Sequence, residues 1–413
     1  MIKKRMIKTV TLFLAVMVLL TGCEKAPEAA NDDGILRAKG GSDDAIEAVV
    51  NDEEEKMEAG EKTPGEIPTG SKAEETFSGG GTVNVTLGEG ENRMRIEAEV
   101  KAAPEAVGTL IMQADSRLSG ETLRSFLDPQ GEVKDYTEEL LAAEEAERKR
   151  VAEIDEKLGE GSSIVEIAGV GDGSTLALTD GNRKAVLVGK TGASFEDAFL
   201  QEKCRAVMQE NVETEQELNV KDEKAGESSF SLQEAKALLM EKLSVLGIED
   251  IHLTKAYFYG ADDLSFYELQ FCPVVDGLPV AYCFGQHDIS RVYPNGLAWV
   301  SAEGVAEIGL WNCLMEQVSA GEEDTILGFD KVQELLRIYL KDGRLQCTED
   351  IPFSTAELVY YVELKDGKLE LSPVWGIYMD LEEYVDYCGQ AERIDFVWTI
   401  HIDAVTGEIL EVQ

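Results

Sequence analysis

Positive charge is scarce in this chain of 413 residues: 38 Lys and Arg stand against 81 Asp and Glu, a formal charge of −43 at pH 7. Approach to a nucleic acid or to the anionic face of a membrane would be repulsive, so neither is read as a partner surface. Histidine is scarcer still, with only His252, His287 and His401. Cys283 and His287 have a two-ligand spacing at a strand end, but no second pair of ligands accompanies them, so no metal site is read. The cluster Gly169-Val170-Gly171-Asp172-Gly173 precedes a strand signal rather than a helix and lacks the Lys-Ser/Thr of a phosphate cradle. There is no nucleophile elbow. Carboxylates are so abundant that their pairing along the sequence singles out no catalytic couple. These absences leave no catalytic residue and no cofactor to name.

No apolar run is long enough to span a bilayer. The one at the N-terminus, Val10 to Leu20 interrupted by Thr11, follows Lys3, Lys4, Arg5 and Lys8 and has the layout of a secretory signal. It ends in Leu20-Thr21-Gly22-Cys23, which resembles a bacterial lipobox. The resemblance implies that residues 1–22 are a cleaved signal peptide and that Cys23 is diacylated on sulfur, tying the mature chain to the outer face of a cell membrane. Removing those 22 residues takes away four basic groups and no acidic one, moving the charge from −43 to −47.

Six cysteines remain: Cys204, Cys272, Cys283, Cys313, Cys347 and Cys388. They form no CxxC. An even number in an exported chain permits disulfides without demanding them. Cys272 and Cys283 flank Asp276-Gly277 and would face each other across a hairpin with a four-residue loop at 276–279, which makes them the candidate pair; buried free thiols are the alternative.

From Glu24 to about Thr76 the chain has no aromatic residue and many Glu, Asp, Gly, Ala and Pro. Such a segment buries too little apolar surface to offset its ordering entropy, so residues 23–76 read as an acidic tether. Residues 77–212 read as an N-terminal antiparallel α+β domain. Val83, Val85 and Leu87, then Met94, Ile96, Ala98 and Val100, alternate with polar residues as in a half-buried hairpin. A short helix is predicted over 122–127. A longer one over 135–158 has an Asp135/Glu138 capping box, with Leu140, Leu141, Val151, Ile154 and Leu158 inward and Glu144 and Glu145 paired outward to Arg148 and Lys149. Strand signals at 164–168, 175–178 and 185–188 precede a helix predicted from Ser194, capped with Asp197 and turning Leu200, Cys204, Val207 and Met208 to the core. Polar residues 213–229 read as a linker.

Past Phe230 the same order of signals occurs twice, over 230–320 and 321–413. The first copy is a helix opened by Ser231 and Glu234, a strand from Tyr267, the turn Asp276-Gly277, a return strand and a closing hairpin at Gly304. The second is a helix opened by Asp330 and Gln333, a strand from Leu358, the turn Asp366-Gly367, a return strand and a closing hairpin at Gly407. The expected class is therefore α+β: an N-terminal antiparallel domain followed by two tandem helix-on-antiparallel-sheet repeats. His401 alternates with Ile400 and Ile402 and is assigned to the solvent face. The aromatic residues of this half, including Trp299, Trp311, Trp375, Trp398, Tyr360 and Tyr378, are read as core, with an aromatic groove or an exposed edge strand as the functional alternative.

The run Ile402-Asp403-Ala404-Val405-Thr406-Gly407-Glu408-Ile409, preceded by Pro373-Val374-Trp375, resembles the closing strands of PepSY-type and YycH/YycI-type extracytoplasmic domains. The whole layout is also similar to uncharacterised predicted lipoproteins of clostridia. The resemblance implies duplicated helix-on-sheet modules at a Gram-positive surface, some restraining a sensor kinase and some linked to protease inhibition. The reading that follows is a surface-anchored extracytoplasmic lipoprotein acting as a non-enzymatic binding or regulatory module for an envelope protein or peptide. Two others are carried beside it: an envelope hydrolase with a carboxylate- or histidine-based site, and an acidic cation-binding or structural surface protein.

Overall fold

Local sequence signals place the first elements directly. In the computed structural model, which describes residues 81–90, 92–158, 174–210, 216–218, 230–260, 264–281, 294–347, 352–365, 367–379 and 399–412, the chain starts with β1 (Gly81–Glu89) and β2 (Asn92–Val100). They pair with Val83 opposite Ala98, Val85 opposite Ile96 and Leu87 opposite Met94, and Leu87, Met94 and Ile96 are wholly buried. The alternation read from the sequence is thus the alternation of the hairpin.

There follow β3 (Ala106–Ala114), α1 (Gly120–Leu127), β4 (Lys134–Asp135), α2 (Thr137–Leu158), β5 (Thr175–Thr179), β6 (Arg183–Val188), β7 (Gly192–Asp197), α3 (Ala198–Glu210) and β8 (Gln216–Leu218). Next are α4 (Leu232–Ser244), β9 (Ile251–Gly260), β10 (Ser265–Val275), β11 (Leu278–Pro279), β12 (Asn295–Ser301), β13 (Gly304–Trp311) and β14 (Met315–Thr325). The chain closes with α5 (Phe329–Asp342), β15 (Phe353–Lys365), β16 (Lys368–Met379), β17 (Thr399–Asp403) and β18 (Ile409–Val412). The class is mixed α+β, with two sheets and five helices among the described residues.

Several starts differ from the sequence reading. The helix expected from Ser194 begins at Ala198, because residues 192–197 are strand β7, paired with both β6 and β13; Phe195 is buried from that strand, and Asp197 Oδ1 caps α3 by accepting from the Leu200 N–H at 3.2 Å. Asp135 lies in β4, outside α2, and its Oδ1 accepts from Thr137 N at 2.9 Å. On α2 the faces are partly reversed: Leu141 is exposed and Glu144 is buried, while the Glu145–Lys149 pair forms at 2.9 Å. α5 starts at Phe329 behind Gly328, which has no side chain to cap with, and Gln333 is buried rather than capping. The Ser231/Glu234 capping box of α4 forms as expected.

The described residues fall into two compact units, each discontinuous in sequence. The first holds Leu110–Ser319 with Val362–Leu371. Its sheet runs β4-β5-β6-β7-β13-β12-β10-β9-β8, with β11 on β10. On one face α1 and α4 place Leu123, Phe126, Leu127, Leu232, Ala235, Leu239 and Leu243 against Phe195, Tyr267, Leu269 and Ile308. On the other, α3 places Leu200, Cys204 and Val207 against Tyr259, Phe266, Leu297 and Trp299. Adjacent Phe266 and Tyr267 therefore serve opposite layers, as successive residues of a strand covered on both faces must. Asp276 and Gly277 both have positive φ, at 46° and 81°, and close a two-residue turn with Val275 opposite Leu278. The loop is thus two residues long and not the expected four; Cys272 is buried, and Cys283 lies outside the described residues.

The second unit holds Ala320–Tyr361 and Ser372–Gln413 together with the described residues up to Thr109. Here α5 presents Phe329, Val332, Leu335, Leu336, Tyr339 and Leu340 to the sheet. The first hairpin of the chain completes that sheet: β2 runs parallel to β15, with Phe353 opposite Ile96 and Ala356 opposite Val100. Asn92 joins the two stretches further, its amide donating to the carbonyls of Leu340 (2.6 Å) and Leu345 (2.9 Å) and accepting from Cys347 N (2.8 Å). Strands read as one N-terminal domain are thus shared between two sheets, and among the described residues β11 has two residues, whereas β15 and β16 have 13 and 12.

Candidate functional site

Three places concentrate groups that could act. The first is β14, of sequence Met-Glu-Gln-Val-Ser-Ala-Gly-Glu-Glu-Asp-Thr, in which residues 317–325 are all exposed. Among the described residues it pairs with β3 alone, so its other edge presents every second N–H and C=O outward. Its last six residues, 320–325, belong to the second unit, where they lie close against β3: a Cβ on Gly108 would stand 3.1 Å from the Gly321 carbonyl oxygen. Glu322, Glu323 and Asp324 are consecutive, and no ion pair neutralises them among the described residues. Sequence periodicity does not mark this strand. It buries no face, so it carries neither an apolar period nor a β-branched run, and only its place between β13 and α5 could have drawn notice.

The second place lies on the face of the second unit's sheet opposite α5. Strand alternation sends Ile400 and Ile402 one way and His401 the other, as expected, but that other side is closed: His401 is 1% exposed. Cross-strand register sets His401 opposite both Gly376 and Glu411. Its Nδ1 lies 3.2 Å from Glu411 Oε2 and its Nε2 3.1 Å from the Tyr378 hydroxyl, with the Tyr361 ring 5.3 Å away. The Tyr378 ring extends over Gly376, where a Cβ would meet the hydroxyl at 2.3 Å, so only glycine admits this arrangement. A hydroxyl, an imidazole and a carboxylate in that order are the parts of a general-base relay. With the Glu411 side chain 2% exposed, they fasten β16, β17 and β18 together and offer a substrate no approach. The assignment of His401 to solvent is therefore corrected: one face of a strand is wet only where nothing covers it.

The third place is in the first unit. Glu307 on β13 faces α3, where Gln201 Nε2 donates to its Oε2 at 2.5 Å; burial raises its pKa, against the pull of that hydrogen bond and of Arg205, with Glu196 raising it further. Cys204 is a core residue, as expected, and burial, reinforced by Glu307 and Glu303, pushes its thiol up to about 12. Burial does the same to Cys313. A thiol with so high a pKa stays protonated at neutral pH.

Lys242 on α4 holds its ammonium 3.9 Å from the centre of the Phe195 ring and 5.5 Å from that of Phe126. Burial pushes its pKa down to about 8 from an ordinary 10.5, with Asp128 and Asp197 pulling it up and Arg183 pushing it down. Between those two values the unfolded chain holds the proton and the folded chain releases it, so this residue's contribution to stability rises with pH across that window and is level below it. Lys242→Met is expected to raise the urea midpoint at about pH 7 and to flatten the rise between about pH 8 and 10.5. Parallel profiles for the two proteins would show that the ammonium is not desolvated.

Of the residues named from the sequence, Cys23, Cys283, His287, Cys388, Trp398 and the tether 23–76 lie outside the described residues. His252 is half-buried and pairs in register with Cys272. Trp299, Trp375, Tyr360 and Tyr378 are core residues, as read. Among the described residues no three His, Cys, Asp or Glu side chains converge as a metal site, and no helix is long and apolar enough to cross a membrane.

The described residues thus build a mixed α+β chain of two sheets, with an acidic edge strand that pairs among them on one side only and a closed Tyr–His–Glu network. No protein-family model matches the sequence, and no curated protein does. Among solved structures the chain is similar to an uncharacterized protein from Eubacterium rectale, at 15% identity and a TM-score of 0.48, over 80% of this chain and 94% of that one. It is also similar to YycH from Bacillus subtilis, at 14% identity and a TM-score of 0.26, over 49% of this chain and 42% of that one.

Proposed function

We propose that the protein is a surface-anchored, extracytoplasmic binding or regulatory module without enzymatic activity, held by lipid on Cys23 and the tether 23–76, which takes an extended segment of an envelope protein or peptide onto the open edge of β14. The observation that carries this reading is that residues 320–325 of β14, which belong to the second unit, are exposed, and that β14 is hydrogen-bonded to β3 alone among the described residues. An unpaired row of backbone donors and acceptors is a template for one more strand. The hydrolase reading has one observation in its favour, the Tyr378–His401–Glu411 sequence of groups, and the enclosure of His401 weighs against it. A photo-crosslinking amino acid in place of Ala320, in protein anchored in its own membranes, is expected to label a specific envelope polypeptide. The same replacement at Gly181, in the β5–β6 turn, is expected not to. Identical products from the two positions would defeat the proposal.

A further inference from the structure

We infer that the segment accepted by the open edge of β14 is a basic one, an extended stretch with Lys or Arg at successive positions; this rests on the edge-binding reading and specifies its partner. Along residues 320–325 two small residues, Ala320 and Gly321, precede Glu322, Glu323 and Asp324. In a strand, Glu322 and Asp324 project from one face of the sheet and Glu323 from the other. A strand added to this edge therefore meets carboxylates on both of its faces, and directly opposed unlike charges favour a cross-strand pair while like charges oppose it.

These three carboxylates have no cation of their own among the described residues, whereas Lys203 is already held by Glu303 at 2.8 Å and Lys236 by Asp250 at 3.5 Å. With the whole chain at −43, the long-range field also draws a basic segment and repels an acidic one. The same charges oppose a second copy of the chain as the occupant. Antiparallel pairing of residues 320–325 with themselves sets Glu322 of one copy against Glu323 of the other, a repulsive register of the kind that guards edge strands against self-association. Ala320 and Gly321 leave room beside the backbone for larger side chains of the incoming strand, so one end of the site selects by charge and the other admits bulk.

The test uses the full-length protein and four fluorescent decapeptides: pairs of successive Lys alternating with pairs of Val, pairs of Glu with pairs of Val, pairs of Thr with pairs of Val, and a Lys-containing peptide of the first one's charge with proline at alternate positions. Anisotropy titrations in about 50 mM salt are expected to show the Lys–Val peptide binding at least tenfold more tightly than the Glu–Val peptide, with the difference shrinking in about 300 mM salt as screening sets in. The proline peptide is expected to lose binding, because it cannot supply the backbone N–H groups of a strand. Glu322→Lys combined with Glu323→Lys and Asp324→Lys is expected to reverse the preference between the Lys and Glu peptides. If all the strand-forming peptides bind with equal affinity and crosslink through position 320, the edge reading stands and the inference of a basic partner is overturned. If none crosslinks there, the edge reading itself falls. Retention of Lys–Val binding by the charge-reversed variant would place the contact elsewhere and overturn the inference.

Discussion

Trp375→Ala is expected to destabilise the second unit by about 3–5 kcal/mol, the range for truncating a large, fully buried aromatic. Trp375 is 1% exposed on β16, its ring 5.1 Å from Phe329 at the start of α5, and its indole N–H donates to the Leu327 carbonyl at 2.8 Å. Truncation removes the layer between sheet and helix and leaves that carbonyl without its donor, so a cavity term and an unpaired polar group add to the loss of apolar burial. The pairing of β16 with β17, which places Trp375 opposite Ile402, would loosen with it. Trp375→Phe retains most of the packing and is expected to cost less. Equilibrium denaturation in urea reads both, and a loss for the alanine variant within about 0.5 kcal/mol, the range of surface substitutions, would show that α5 does not depend on this residue.

Glu411→Leu is expected to have the second large effect, about 3–5 kcal/mol, the cost of removing one partner from a buried pair. The carboxylate sits 3.2 Å from His401 Nδ1, and leucine leaves the imidazole nitrogen facing a side chain that cannot accept a proton. His401→Leu is expected to leave Glu411 buried beside an apolar group, at similar cost. The double variant is the decisive measurement, since replacing both members with apolar groups removes the uncompensated one; it is expected to be more stable than the sum of the singles predicts, by about 0.5–3 kcal/mol. Additivity of the two substitutions would show that the His401–Glu411 contact contributes no coupling. Tyr378→Phe removes only the hydroxyl at 3.1 Å from Nε2 and is expected to cost about 1 kcal/mol, the net worth of one hydrogen bond.

How much of this could be read without the fold differs from element to element. The β1–β2 hairpin was legible because its period of two coincides with its pairing, and α4 because Ser231 and Glu234 close the capping box locally. Ser194 and Asp197 have the spacing of a helix start but lie in β7: a polar residue three places before an acidic one is a cap only if the backbone turns there, and pairing with β6 and β13 holds it straight. The inward stripe of α2 failed at Leu141 and Glu144, where local spacing says which residues share a side but not which side is covered.

The candidate site was the least legible part, for two separate reasons. β14 carries no buried face, so periodicity has nothing to report; its importance comes from having, among the described residues, one hydrogen-bonded edge and one open edge, which is a property of a sheet. His401 carries the right alternation and the wrong conclusion, since Tyr361 and Tyr378 close over the face that a two-layer reading leaves to solvent. The sequence by itself determined the acidity of the surface, the scarcity of histidine, the mixed α+β class, and the turns at which strands reverse, because composition and φ > 0 are properties of single residues or of a few neighbours. Only the tertiary structure decided that the first hairpin lies parallel to β15 some 250 residues away, that His401 is enclosed with Glu411, and that β14 has, among the described residues, an unpaired edge. Those depend on which strands meet, and pairing across such separations is set by the burial of whole faces that no local pattern records.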